Sequence, residues 1–297
     1  MQQSKISQDT TLIVEGGGFK SAFTTGILDA FQMTGYQSFN RYIGISGGSI
    51  AISYYLSGQY RVGLEALLHL AQDPNFTAVS RTFSEQGFMD LDIIAAVARE
   101  QVVFDLAEAM RAALRFPVNF VATHELTGKA AYLKPNRHNW LDAIIASSAI
   151  PFFTKGRHNF EGSTYIDGGC SDPLPAQWAY KQGARRVLVL RTWPRDMRFT
   201  RTWADVAGSY YYRSDPVLRG IVDQGHLIYN AQADFLENPP EDLSITQLAP
   251  DKLLATGTYI NSPETIMQDY GHGLDTGLRF VAEEADRVGA DAGAVGG

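Results

Sequence analysis

Short apolar runs alternate with longer stretches in which apolar residues recur every three or four positions. Thr11 to Glu15 is apolar, stopped by glycines, and reads as a buried strand. Ser21 to Met33 puts Phe23, Ile27, Leu28 and Phe31 near one helical face, and Gly35 is a stop signal. Arg41 to Ile45 is a second strand, and Ser49 to Leu56 continues as a helix. Helical periodicity returns in Leu64 to Ala71, Leu91 to Arg99 and Leu106 to Leu114, so Gln59 to Arg115 reads as a helix-rich cap set apart. Val118 to Thr123 is a strand, turned at Thr127-Gly128-Lys129 into Ala131 to Leu133. Trp140 to Ala149 is helical and closed by Pro151. Ser163 to Ile166 is a strand ending on Asp167-Gly168-Gly169. Then come a helix (Pro175 to Gln182), a strand running into solvent-type residues (Arg186 to Thr192) and helices over Val217 to Leu236 and Leu274 to Arg287. Strands alternating with helices imply an α/β fold, three layers deep, with a largely parallel central sheet. The expected organisation is one domain over 8–288 and a Gly/Ala-rich, disordered tail over 289–297.

Two glycine-rich turns interrupt this pattern. Gly44-Ile45-Ser46-Gly47-Gly48 has the G-x-S-x-G spacing of a nucleophile elbow, with a strand before it and a helix after it. The cramped turn projects the side chain at its apex, here Ser46. The bland reading is a Gly-rich turn with no chemistry. Gly16-Gly17-Gly18-Phe19-Lys20 follows the first strand and supplies free backbone N–H groups beside a helix start, as an oxyanion hole requires. Nucleotide motifs fit worse. A P-loop needs glycine where Phe19 stands, and a dinucleotide fingerprint needs its third glycine where Ser21 stands.

A serine hydroxyl needs a proton acceptor. The chain has six histidines, and none lies in a motif that announces a base; His272, between Gly271 and Gly273, is the suggestive one. Asp167 is the better candidate, because it ends an apolar strand before two glycines. Its bland reading is a turn-opening Asp bonded to its own backbone. Asp172 is a weaker second choice.

Taken together, Glu15 to Lys20, Gly44 to Ser49, Ala146-Ser147-Ser148-Ala149-Ile150-Pro151-Phe152-Phe153 and Asp167-Gly168-Gly169 resemble the patatin-like phospholipase family in order and rough spacing, bacterial cytoplasmic-type members most closely. The resemblance implies a Ser–Asp dyad without histidine: Ser46 as nucleophile, Asp167 as base, and Gly16, Gly17, Gly18, Phe19 and Lys20 as the oxyanion segment. Ser21 stands where many members carry glycine. It implies a lipid or acyl-ester substrate and chemistry that needs no metal or other cofactor. Two other readings stay open: an α/β-hydrolase esterase with a Ser46–Asp167–His272 triad, and a non-catalytic lipid- or acyl-binding protein of the same fold. Acyl transfer lies between them.

Charge and composition narrow the setting. A net charge of −7 argues against nucleic acid and anionic bilayers as partners, so any transient membrane contact is local and apolar. The single Cys170 fits a reducing, cytoplasmic compartment and reads as a buried small residue beside the Asp-Gly-Gly turn. No run reaches the length of a membrane span, and the N-terminus lacks the apolar core of a secretory signal. Tyr210-Tyr211-Tyr212 fits a lipid groove or an interface equally well, and Phe152 and Phe153 read as core. Oligomeric state is not encoded in any recognisable pattern.

Overall fold

The computed structural model describes residues 9–78, 88–151, 153–154, 156–259 and 261–294; of Val288 to Ala294 only the backbone is described. Eight strands form one sheet in the order β5-β6-β3-β2-β1-β7-β8, with β4 paired to β3. The strands are β1 (Thr10–Val14), β2 (Phe39–Ile45), β3 (Val118–His124), β4 (Ala130–Leu133), β5 (His158–Phe160), β6 (Ser163–Asp167), β7 (Arg186–Leu190) and β8 (Ser244–Leu248). β1, β2, β3, β7 and β8 run parallel; β4, β5 and β6 are antiparallel to their neighbours.

The helices are α1 (Ser21–Thr34), α2 (Gly47–Leu56), α3 (Val62–Gln72), α4 (Asp92–Ala96), α5 (Leu106–Arg115), α6 (Trp140–Ser148), α7 (Ala176–Lys181), α8 (Trp203–Tyr211), α9 (Pro216–Glu237) and α10 (Pro263–Ala294). They cover both faces of the sheet. Leu12 and Val14 of β1 point into the core shared with α1, α2, α3 and α6. Ile13 points the other way, into the core shared with α7 and α9. That alternation within a continuous apolar run is what a doubly covered parallel strand requires. The three-layer α/β/α reading therefore holds.

Several elements differ from expectation. The segment 59–115 is not a separate cap: Leu64, Leu67, Leu70, Ile94 and Phe104 are buried in the same core as β1 and α1. β5, α8 and β8 carry no pattern strong enough to read, being short, half-exposed or interrupted by Gly208. α10 begins at Pro263 rather than Leu274, and Gly271 and Gly273 lie inside it. Gly273 serves close packing: a Cβ there would sit 1.9 Å from the Phe23 carbonyl oxygen of α1. α10 continues to Ala294, into the segment 289–297 for which the sequence suggests a disordered tail. Gly220 and Gly225 do not stop α9, which Asp215 caps by accepting from the Val217 and Leu218 amides, with Pro216 at its first position. The Arg186 to Thr192 run does lead to exposed residues, Arg195 and Asp196, but its own end is buried. Arg191 is 0% exposed and Thr192 is also buried.

Candidate active site

One detail of the sheet decides where the site lies. β2 pairs with Val118 to Val121 of β3, and β4 takes the opposite edge at Phe120 to Thr123. β6 pairs with Ala122 to His124 on the edge that β2 has vacated, and it runs against β3. β2 and β6 thus approach head-on along one edge of β3. Ile45 pairs with Val121, and Asp167 pairs with Ala122, one residue further on. The residue after Ile45 is Ser46. Register alone brings positions 46 and 167 together at the carboxyl end of the parallel strands, where open α/β sheets build their sites.

Ser46 adopts φ +51°, a conformation rare for a non-glycine residue and costly to hold. Ser147 of α6 supports it: the Ser46 N–H donates to Ser147 Oγ at 2.9 Å, and Ser147 Oγ donates to the Val121 carbonyl at 2.6 Å. Asp167 is 6% exposed. Its Oδ1 accepts from the Gly169 N–H at 2.7 Å. Its Oδ2 is buried and has no partner at hydrogen-bond geometry. The Ser46 hydroxyl is nevertheless near enough to favour the ionised carboxyl. The pair is in loose contact, as resting catalytic pairs often are. Burial dominates and pushes the Asp167 carboxyl up to about 6, against the pull of Ser46 and the Gly169 amide.

The glycine loop lies against the elbow. A Cβ on Gly16 would sit 3.0 Å from Ser46 Cβ, and one on Gly47 would sit 2.9 Å from the Gly18 carbonyl oxygen. Gly17 and Gly18 take φ +151° and +57°, which suits residues without a side chain. The two later members of the expected oxyanion segment have other uses. The Phe19 N–H donates to the Thr258 carbonyl at 3.2 Å, and the Lys20 N–H to the Gly17 carbonyl at 3.1 Å. The Lys20 ammonium donates to the Thr256 carbonyl at 2.7 Å and lies over the Trp193 ring. Among the described residues, the amides of Gly17, Gly18 and Gly47 donate to no partner. Ser21, in the usual glycine position, donates its hydroxyl to the Gly18 carbonyl at 2.7 Å and so fixes the loop's path.

Sequence reading missed what stands behind this loop. Glu15 is buried and accepts from Arg191 Nε at 3.3 Å, the Thr192 N–H at 2.6 Å and the Tyr229 hydroxyl at 2.8 Å. Arg191 donates further to Gln247 and to Tyr229. Thr192 Oγ1 donates to the Gly16 carbonyl at 2.6 Å. A buried ion pair with every polar atom engaged thus anchors the start of the turn. The only sequence signal was a charged residue flanking each of two adjacent apolar strands.

Ser46 opens on an apolar pocket walled by Phe19, Ile50, Leu67, Leu70, Met89 and Tyr259, among others. Free space within it is about 30 Å³, roughly one water's share of the liquid. Ser148 also lines the pocket, and its buried hydroxyl has no partner. Phe153 is not core: it is 39% exposed and stacks on Tyr259 at 4.2 Å. Phe152 lies outside the described residues. Tyr210 and Tyr211 are exposed on α8 and do not line the pocket.

The other candidates sit elsewhere. His272 lies against Phe23 and near Asp251, and lines a different cavity. Asp172 accepts from the Tyr132 hydroxyl. Burial and the Asp167 carboxylate push the Cys170 thiol well above its usual range, which makes it a poor nucleophile. Among the described residues, no group of three or more His, Cys, Asp or Glu side chains could hold a metal ion.

A serine at the apex of a strained turn, a buried carboxylate and free loop amides at an apolar pocket are the equipment of an acyl hydrolase. A family model for patatin-like phospholipase matches residues 12–180, and the chain belongs to that family. A second model, for a domain of unknown function (DUF6363), matches residues 216–288. The chain is similar to the uncharacterized protein YjjU of Escherichia coli K12, with 29% identity over 91% of this chain and 76% of that one. Among solved structures it is similar to VipD from Legionella pneumophila, at 12% identity and TM-score 0.46, covering 93% of this chain and 67% of that one. It is also similar to human GIVD cytosolic phospholipase A2 bound to methyl gamma-linolenyl fluorophosphonate, at 12% identity and TM-score 0.40, with 93% of this chain covered. This chain spans 59% of that human structure. Among the described residues, no helix is long and apolar enough to cross a membrane.

Proposed function

We propose that this protein is a lipid acyl hydrolase of the phospholipase A, lysophospholipase or carboxylesterase type, working through a Ser46–Asp167 dyad. The observation that carries the reading is the head-on approach of β2 and β6, which sets a strained serine beside a buried, partly unsatisfied carboxylate. Ser46 Oγ attacks the ester carbonyl while Asp167 takes its proton. The oxyanion forms against the free amides of Gly17, Gly18 and Gly47. The same carboxyl returns the proton to the leaving alcohol, leaving the acyl group on Ser46. Asp167 then deprotonates the water that attacks the acyl-enzyme, and Ser46 leaves with the proton. The apolar pocket takes the acyl chain, and it widens to do so.

A histidine-dependent triad is the weaker reading, because His272 keeps company with Asp251 and Phe23 rather than Asp167. The single cysteine supports a reducing, cytoplasmic setting, and the apolar pocket supports transient contact with a lipid surface. Active-site labelling with a fluorophosphonate tests the whole. We expect one adduct, mapped to Ser46, and none in Ser46→Ala. An unlabelled, folded wild-type protein with no esterase activity would instead support a binding role.

A further inference from the structure

The region 216–288 carries no assigned role, yet it reaches into the site just described. The connection from β8 to α10 passes directly over the glycine loop. Its Thr258 carbonyl accepts the Phe19 N–H, and its Thr256 carbonyl accepts the Lys20 ammonium at 2.7 Å. Contact with the loop is tight: a Cβ on Gly18 would sit 2.2 Å from the Thr258 carbonyl oxygen. α10 holds the connection in turn. Asp269 Oδ2 accepts from the Thr256 N–H and hydroxyl, each at 2.7 Å, and its Oδ1 accepts from the Ala255 N–H at 3.1 Å. Thr256 and Asp269 are both buried. Asn261 closes the bend by accepting from the Gly257 N–H and donating to the Gly257 carbonyl. At the end of the run, Tyr259 walls the acyl pocket and stacks on Phe153, and burial, with the nearby Asp167 carboxylate adding to it, pushes its phenol up.

We propose that residues Ala255 to Tyr259 are a positioning strap for the oxyanion hole, clamped by Asp269, and that Tyr259 sets how long an acyl chain the pocket takes; the 216–288 region is then part of the catalytic unit. Two engagements give the strap its effect. It occupies the Phe19 amide and the Lys20 ammonium, so the loop cannot rotate those groups toward the serine. The Gly17 and Gly18 amides are left as the ones that can face a substrate oxygen. Thr256 and Asp269 touch no substrate; they act through the loop. Displacing catalytic donors by about 1 Å costs on the order of 100-fold in rate, and KM is spared when substrate binding rests on the pocket instead.

The inference rests on the hydrolase reading, and the test separates the two. Wild type, Thr256→Val, Thr256→Ser, Asp269→Asn and Tyr259→Ala are assayed with p-nitrophenyl butyrate and decanoate, by fluorophosphonate labelling rate and by thermal midpoint. We expect Thr256→Val and Asp269→Asn to lower kcat by roughly 10- to 100-fold with KM within about twofold. Thr256→Ser, which keeps the hydroxyl, restores kcat. Tyr259→Ala shifts the kcat/KM ratio toward decanoate. Folded Thr256→Val and Asp269→Asn proteins with wild-type kcat would overturn the strap. An unchanged chain-length ratio in Tyr259→Ala would overturn it as well, even where the other two variants fail to fold. A wild-type enzyme silent toward both esters and the label refutes the hydrolase reading, and the strap with it.

Discussion

Replacing Asp167 with Asn should raise stability while abolishing activity, and the pH dependence of the gain is the informative part. The carboxyl is buried and pushed from 3.8 up to about 6. That difference corresponds to about 3 kcal/mol favouring the protonated form in the folded state. A raised carboxyl pKa makes the folded protein bind its proton more tightly than the unfolded chain does. Its stabilising contribution is full below pH 3.8 and is lost as pH rises through about 6. Asn does not titrate, so it escapes the loss. The unfolding free energy of Asp167→Asn minus that of wild type should therefore grow by about 3 kcal/mol between pH 3.5 and pH 8, with most of the change between 3.8 and 6. Urea denaturation of both proteins across that range measures it, and titrations common to the two cancel. The Asn carbonyl can keep the Gly169 amide, so the turn survives. A difference that stays flat with pH, or shrinks as pH rises, would refute the desolvated-base picture.

The same carboxyl predicts the activity profile: kcat/KM for a soluble ester should climb as pH passes about 6 and then level off, and activity undiminished at pH 4.5 would contradict a carboxylate base. His272→Ala should retain wild-type esterase activity within about threefold, since the imidazole contacts Phe23 and Asp251 rather than Asp167; a folded but dead variant would restore the triad. Arg191→Met should destabilise by about 3–5 kcal/mol in urea melts, because it strands the Glu15 carboxylate in the core. A loss below about 1 kcal/mol would mean that Tyr229 and Thr192 suffice to hold Glu15.

What could be read from the sequence divides by sequence distance. Ser46 was legible because an elbow is local: strand, turn and helix fall within a dozen positions. Asp167 was legible as a strand end, but its meeting with Ser46 depends on β6 taking over an edge of β3, and strand register is not written in either strand. The Gly17 and Gly18 turn announced free amides. Which amides remain free was not legible, since the Thr258 carbonyl that takes the Phe19 amide comes from a distant part of the chain. The complete burial of Arg191 and Thr192 was not legible for the same reason. Their burial follows from α9 and β8, which supply Tyr229 and Gln247. Phe153 was misread because a paired aromatic next to a helix end looks like core, whereas Tyr259, its stacking partner, lies on the distant strap.

The site concentrates unfavourable features, and the surroundings make sense as their compensation. Holding the Asp167 carboxyl in its buried place disfavours the ionised form by about 3 kcal/mol at neutral pH. Keeping Ser46 at φ +51° adds about 1–3 kcal/mol. Neither would persist unless neighbouring structure over-determined it. Ser147 ties the elbow to β3, the Glu15–Arg191 pair ties the glycine loop to β7 and α9, and Asp269 ties the strap to α10. On the proposed mechanism, the Asp167 carboxylate is a stronger base than a solvated aspartate while remaining ionised at pH 7. It is still a weak base for an alcohol, so the amides must carry much of the barrier. One such donor is worth about 2.7–4 kcal/mol in comparable acyl-transfer chemistry. On this account a substitution that loosens the loop costs more activity than one that modestly alters the base. Asp167→Glu, which keeps a carboxylate but displaces it, should therefore retain more kcat than the Asp167→Asn protein and respond to the same pH window. Equal and complete loss in both, with each folded, would show that placement of the base, rather than support of the oxyanion, limits the reaction.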